Sequence, residues 1–405
     1  MSTSALEDSA LGSAPDAPAR RPLPRHRAAD LLAAYLPGSF FYSSARGALL
    51  ADGVHAVVRT DDGPVSAAVA AALADARRVG VRDPVVVGAL GFGPGAPASL
   101  VVPAVVRRAP AGLPALIAAP GEVRWDLQPV PAPADYEAGV LGALDRIRAG
   151  RLSKVVLGRG LEATAPEPVD VPALLRRLAG ANPGAHTFAV DVSAPGDAAP
   201  RTLLGASPEL LVSRHGDRVV ANPLAGSLPR SADEAENRRR IAALLASDKD
   251  RREHALVAGQ VGEVLGRFCT DLHVPAGPEV IGTPTMWHLS TRVTGRLTDP
   301  AVSALELAEA LHPTPAVCGV PEAAARTAIA ELEPVDRGYF TGLVGWTDPA
   351  GDGEWVITIR SAEVSDRTVR LFAGAGIVEG SRPEAELAET GAKFRTLLRA
   401  LGVDE

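Results

Sequence analysis

Four residues in the last fifth of the chain have the types needed to grip an anion: Arg360, in the run Trp355-Val-Ile-Thr-Ile-Arg-Ser-Ala-Glu363, then Glu386, Glu389 and Lys393. A guanidinium, two carboxylates and an ammonium together suit a site where a divalent cation and basic side chains hold a small polycarboxylate. At about 100° per residue, Glu386, Glu389 and Lys393 fall within roughly 60° of one another. An apolar stripe of Phe394, Leu397, Leu398 and Leu401 runs beside them, so the spacing predicts a helix. Taken by itself, a solvated Glu389–Lys393 pair one helical turn apart fits that spacing too.

Asp250 and Glu253 are three apart in Ser247-Asp-Lys-Asp-Arg-Arg-Glu-His254 and share a helix face. Hard oxygen ligands suit Mg2+, which keeps several waters and takes one or two protein carboxylates. A solvent-facing charge cluster is the other reading, and the second carboxylate pair at Glu386 and Glu389 adds weight to the metal. Lys154 heads the strand-like Lys154-Val-Val-Leu-Gly158, and a desolvated lysine can serve as a general base near neutral pH. Glu209, after Ser207-Pro208 at the start of another strand, is its partner acid on this reading. Charges that protect sheet edges from aggregation are the alternative for both. In Asn222-Pro-Leu-Ala-Gly-Ser227, Gly226 removes bulk and Ser227 adds a hydroxyl, so backbone N–H groups can approach a carboxylate. A plain turn leading to a helix fits the same segment.

The elements that must position these groups come in blocks. Val140, Leu141, Leu144 and Ile147 give Tyr136 to Ala149 helical spacing that ends at Gly150, a C-cap residue. Glu209–Ser213 and Arg218–Val220 flank His215-Gly-Asp217, and Thr341–Trp346 and Trp355–Val364 flank residues 348–353; both read as hairpins. Helical stretches at 232–246, 250–268 and 321–331 lie between them. Strands and helices in blocks favour an antiparallel α+β architecture. Residues 1–25, rich in Ala, Pro, Ser and Arg, read as a disordered arm ahead of a single catalytic domain over 26–405. A Pro- and Ala-rich passage from Pro103 to Pro133 divides that domain into an N-terminal portion, 26–133, and a motif-bearing portion, 134–405.

With 405 residues and 46% hydrophobic content the chain can bury a large core. Its net charge of -7 comes without a long basic block, which argues against nucleic acid or an anionic membrane as partner. An acidic chain that binds an anion must therefore concentrate positive charge locally. No apolar run approaches the roughly 18 residues of a membrane span and no signal-peptide pattern opens the chain, so a cytoplasmic location is expected. Cys269 and Cys318, without metal-ligand spacing, read as reduced, packed thiols.

The order Lys154-Val-Val-Leu-Gly-Arg159, Ala206-Ser-Pro-Glu-Leu-Leu211, Pro223-Leu-Ala-Gly-Ser227, Asp248-Lys-Asp-Arg-Arg-Glu-His254, Thr285-Met-Trp-His-Leu289, His312-Pro-Thr-Pro-Ala316, Gly351-Asp-Gly-Glu-Trp355 and Ala373-Gly-Ala-Gly-Ile-Val378 resembles the chorismate-utilising enzymes. Within them it is most similar to isochorismate synthases of catecholate-siderophore pathways, from about Phe40 to Gly402. The resemblance implies two layered antiparallel sheets in the core, surrounded by helices. It implies that Glu253 and Glu389 ligate Mg2+, with Asp250 and Glu386 supporting through water, and that the metal holds the ring carboxylate of chorismate beside Gly226 and Ser227. Arg360, the Gly374 and Gly376 backbone and Lys393 would complete the anion-binding wall, with His288 and Ala316 lining the ring pocket. Lys154 would be the base and Glu209 the acid. The implied protein is a monomer whose product passes to a downstream isochorismatase.

Two positions place the chain within that family. Aminodeoxychorismate synthases generally carry a lysine where this chain has Ala225, and anthranilate synthases a non-basic residue where it has Lys154. Salicylate synthases share the acid, base and carboxylates, and remain the alternative; they tend to have Tyr at the position of Phe340.

Overall fold

Runs of Val, Leu and Ala with small or polar neighbours supply this chain with pleated, half-buried surfaces, and the helices between them cover the outer faces. The structure, a computed structural model, describes residues 26–60, 63–113 and 123–403, so the arm expected at 1–25 lies outside the described residues. In chain order the elements begin with α1 (Ala28–Ala33), β1 (Phe40–Ser44), β2 (Gly47–Val57), α2 (Val65–Arg78), β3 (Val86–Leu90), β4 (Ala98–Ala109), β5 (Asp126–Val130) and α3 (Pro133–Arg148). Then come β6 (Lys154–Thr164), α4 (Val171–Ala181), β7 (His186–Asp191), β8 (Arg201–Ser207), β9 (Leu210–His215), β10 (Arg218–Asn222), β11 (Leu224–Pro229), α5 (Glu234–Ala246) and α6 (Asp248–Leu265). The last group is β12 (Cys269–His273), β13 (Glu279–Gly282), β14 (Met286–Ser290), β15 (Val293–Leu297), α7 (Ala304–Leu311), β16 (Gly319–Val320), α8 (Glu322–Leu332), β17 (Leu343–Thr347), β18 (Gly353–Ile357), β19 (Ser361–Ser365), β20 (Thr368–Ile377) and α9 (Pro383–Leu401).

Seventeen strands pair antiparallel in one ribbon, β5–β6–β20–β19–β8–β7–β1–β2–β4–β3–β17–β18–β9–β10–β15–β12, with β16 on the start of β6. The ribbon doubles back. One buried cluster joins Phe40, Leu49, Phe188 and Leu203 from its first arm to Val87, Val344 and Val356 from its second, so the two arms face each other as layers. Helices α1, α4 and α9 cover the outside of one layer, where Leu31, Leu174 and Leu397 meet Leu161, Leu204 and Leu371. Helices α2, α6 and α7 cover the other, where Leu73, Val261 and Leu305 meet Val212 and Trp355. This is the α+β arrangement expected from the sequence. A separate small sheet, β11–β14–β13, sits beside α5 and α6.

The chain crosses between layers twice at places that matter below. β8 pairs in the first arm and β9 in the second, so Pro208 and Glu209 are one crossing. β18 pairs with β9 and β19 with β8, so residues 358–360 are the other. The single strand expected from Trp355 to Val364 is thus two strands, because Arg360 takes a left-handed φ of 50° and breaks the extension. The crossings are tied together: Ala206 N–H donates to Arg360 O at 3.0 Å and Ile357 N–H to Glu209 O at 3.2 Å.

Two further expectations need correction. Asn222–Ser227 is no turn before a helix, since Leu224–Pro229 pairs with β14 across a bulge between Ala225 and Ser227. The Pro-rich passage from Pro103 to Pro133 is partly strand. Pro103 sits in β4 opposite Val54, and β5 pairs with β6. Strands of the N-terminal portion also pair with later ones, β1 with β7 and β3 with β17. Among the described residues no helix is long and apolar enough to cross a membrane.

Candidate active site

Helix α9 starts with Pro383 at its first turn and Glu384 and Glu386 near its positive end, and closes on Gly402 at φ 80°. It buries Phe394, Leu397, Ala400 and Leu401 against the sheet and α4. That docking brings Glu389 and Lys393, on the neighbouring face, to a cleft. Helix α6 is capped by Ser247, whose Oγ accepts from Asp250 N–H at 3.2 Å, so it begins at Asp248. His254 ties α6 to its neighbours: Nδ1 lies 3.3 Å from Ala225 O and Nε2 2.7 Å from Thr291 Oγ1. Burial pushes His254 down to about 4, so it is neutral at pH 7. Gly226 stands at the bulge with φ 78°, and a Cβ there would lie 3.0 Å from Asp250 Cβ. The close approach of α6 to this strand therefore requires glycine.

The cleft is lined by Glu209, Gly226, Ser227, Glu253, His288, Ala316, Arg360, Gly374, Gly376, Glu389 and Lys393, with Val156, Phe340 and Phe372 among its apolar residues. Phe340 and Phe372 stack with centroids 5.3 Å apart. Lys154, Asp250 and Glu386 stand behind this lining. Lys154 is fully buried, with Nζ 2.9 Å from Glu253 Oε1 as an ion pair without hydrogen-bond geometry, so its donors are unspent. Strand β20 runs beside β6 in a register that sets Gly376 against Val156, and a Cβ on Gly376 would lie 2.2 Å from Glu253 Oε1 and 3.0 Å from Lys154 Cε. Only hydrogen fits there.

Charge is balanced by three lysine–glutamate pairs: Lys154–Glu253, Lys249–Glu386 at 2.8 Å and Lys393–Glu389 at 2.6 Å. Lys393 also donates to Gly374 O at 2.7 Å, and Ser227 Oγ to Glu389 Oε1 at 3.1 Å. Burial favours the neutral form of Glu389, but Lys393, Lys249 and Ser227 outweigh it and hold its pKa below the usual range. Glu209 is different. Burial pushes it up to about 7, against the opposing Leu224 N–H, Lys154, Lys393 and Arg360. Arg360 is lowered by burial to about 10, opposed by Glu389 and Glu209, and keeps its charge at neutral pH. His288 is pushed well below its ordinary value by burial, then by Arg360 and Lys393. Neutral His288 accepts at Nε2 from the Arg360 guanidinium 3.3 Å away. Arg360 Nε has no hydrogen-bond partner among the described residues. The cleft and the groups behind it thus combine a carboxyl group raised to about 7, a buried guanidinium, three lysines and a set of carboxylates.

Among the described residues no three His, Cys, Asp or Glu side chains converge as a ready-made metal cage. The donor chemistry nevertheless fits a hard cation that keeps most of its waters. Asp250 and Glu253 project from α6, Glu386 and Glu389 from α9. Asp250 is raised by burial, with Glu253 and Glu389 adding to the rise, and Glu386 by burial and Glu389. Each of these two carboxylates therefore lies within electrostatic reach of Glu389. Two contributors escaped the sequence reading. Phe372 has no signal beyond its place in an apolar strand; Lys249 lies inside the mixed-charge run Asp248-Lys-Asp-Arg-Arg-Glu253, where Arg251 and Arg252 hide it.

Residues 119–402 match the model of a family described as chorismate binding enzyme. The chain is 52% identical over 397 residues to isochorismate synthase DhbC of Bacillus subtilis (strain 168), covering 93% of this chain and 97% of that protein. It is 50% identical over 274 residues to the vibriobactin-specific isochorismate synthase of Vibrio cholerae serotype O1, 68% of each chain. The crystal structure of DhbC from Bacillus anthracis superposes with a TM-score of 0.88 at 46% identity, covering 93% of this chain and all of that one.

Proposed function

We propose, since the chain belongs to the chorismate-binding enzyme family, that it is an isochorismate synthase: a Mg2+-dependent isomerase that converts chorismate to isochorismate for a 2,3-dihydroxybenzoate siderophore. The observation that carries the mechanism is Glu209, a carboxylic acid still half protonated near pH 7, in one cleft with the Lys154–Glu253 pair. Lys154, in its neutral amine form, takes a proton from the water that attacks C2 of the ring and becomes the ammonium. The double bonds shift, and Glu209 protonates the departing C4 hydroxyl, which leaves as water. One water enters and one leaves, so the formula is unchanged. Hydroxide is a poor leaving group, which is why an acid raised to about 7 is useful here. Arg360, Lys393 and the Gly374 and Gly376 backbone hold the substrate's carboxylates, with Gly226 and Ser227 beside the ring carboxylate and His288 and Ala316 against the ring. Glu253 and Glu389 would hold Mg2+ directly, and Asp250 and Glu386 through water; the ion supplies orientation and charge neutralisation. The reading includes a cytoplasmic monomer that passes its product to an isochorismatase.

Removing one of two direct ligands leaves a hard cation under-coordinated. Glu389→Ala therefore raises the Mg2+ concentration needed for half-maximal activity by about tenfold or more. EDTA abolishes turnover by the wild type. Full activity in EDTA would end the metal reading.

The salicylate synthase reading adds pyruvate elimination. Phe340 bears on the choice, because its ring is stacked on Phe372 at the cleft and offers no hydroxyl to hold an enolpyruvyl carboxylate. With chorismate and Mg2+, and without ammonia, the protein gives a reversible mixture of chorismate and isochorismate and almost no pyruvate. Stoichiometric pyruvate in a lactate-dehydrogenase-coupled assay would transfer the assignment to salicylate synthase.

A further inference from the structure

Arg337 is 4% exposed and lies outside the lining of the cleft, yet its guanidinium touches that lining in several places. One terminal nitrogen donates to Val317 O at 2.8 Å and Thr341 Oγ1 at 3.1 Å, and the other to Val156 O at 2.8 Å and Glu333 Oε1 at 2.5 Å. Nε donates to Glu333 Oε2 at 2.8 Å, so all five N–H donors of the side chain are spent. Glu333 Oε1 also accepts from Gly158 N–H at 2.7 Å, which adds a second tie to β6. The guanidinium lies 4.3 Å from the Phe92 ring centroid and 5.8 Å from that of Phe340. Thr341, held at φ 60°, donates from Oγ1 to Phe340 O at 2.6 Å. Val156, Val317, Phe340 and Thr341 all line the cleft, and they come from three separate parts of the chain.

We propose that Arg337, seated on Glu333, is a positioning residue that sets the apolar wall of the cleft and so fixes the substrate's ring relative to Lys154, two residues before Val156 on β6. The proposal rests on the isochorismate synthase reading. Lysine has three donors on one atom and cannot span Val156, Val317, Thr341 and both Glu333 oxygens. A ring displaced by about 1 Å costs on the order of 10²-fold in rate.

The test is steady-state turnover of chorismate with Mg2+ by Arg337→Lys, Arg337→Ala and Glu333→Gln. Rates are taken per folded molecule, below each variant's melting transition. Arg337→Lys should lower kcat by about 10²-fold with KM changed by less than about threefold. Free guanidinium should restore part of the Arg337→Ala rate where equal NaCl does not. A kcat within about twofold of wild type, with only the melting temperature lowered, would show a merely structural residue. Should the Arg337 variants not fold, Glu333→Gln decides, with kcat expected about tenfold down. Hydrogen exchange in that variant, measured without substrate, should accelerate at the Gly158 amide and around 314–318, and unchanged exchange there overturns the proposal. Wild-type protein that leaves chorismate untouched would refute the isochorismate synthase reading, and the exchange measurement would still decide whether Arg337 holds the wall.

Discussion

Lys154→Ala lowers kcat for chorismate by about 10²-fold or more. Lys154 is the one fully buried lysine beside the cleft among the described residues, and its contact with Glu253 lacks hydrogen-bond geometry. It sits where β6, β20 and α6 meet. Breaking a buried ion pair normally destabilises by about 3–5 kcal/mol. Here Glu253 faces the cleft, and water entering the space left by Lys154 solvates it, so melting temperature should change little. A near-wild-type rate would remove Lys154 from the mechanism. A large drop in melting temperature with an unchanged rate per folded molecule would make it a structural counter-ion.

Glu209→Gln should also lose about 10²-fold in kcat, because an amide cannot deliver a proton to the C4 hydroxyl. The wild-type enzyme gives the complementary result. Its acid is protonated below about pH 7, so kcat should decline as pH rises through that value, and the variant should lack this limb. The same group links pH to stability. Its pKa is raised from 4.5 to about 7, so the folded state holds a proton that the unfolded state releases. The stabilisation is present in full below about pH 4.5 and lost as pH rises through about 7. Thermal unfolding of wild type against Glu209→Gln should show the difference in that window. A kcat profile shared by both proteins would exclude Glu209 as the acid.

Local pattern made much of this legible. The spacing of Glu386, Glu389 and Lys393 beside Phe394 and Leu397 placed three site residues on one helix, and the Gly216-Asp217 turn announced the β9–β10 hairpin. Other features depend on contacts between distant segments. Arg360 sits in a run whose composition reads as one strand, but its first half pairs in one layer and its second half in the other. Six of the nine residues from Trp355 to Glu363 are apolar or β-branched, and nothing in that composition marks the exchange of partners. The bulge at Gly226 is similar: the chain turns nowhere near it, and the glycine is needed because Asp250 arrives from a helix more than twenty residues later. Arg337 and Glu333 look like an ordinary charged pair four residues apart, and only the fold shows that they are buried beneath the cleft.

Helix α9 follows all twenty strands in chain order among the described residues, yet it carries two of the four candidate metal carboxylates and the ammonium that faces them. A ribosome therefore makes the proposed base, the proposed acid and nearly the whole apolar wall before it makes the segment that carries Glu389 and Lys393. Nascent chains halted before Pro383 would hold every strand of both sheet layers and only part of the candidate site. Tethering a stalled chain to the ribosome at that length, then releasing it a helix later, would show activity arriving in one step with the emergence of Glu389 and Lys393.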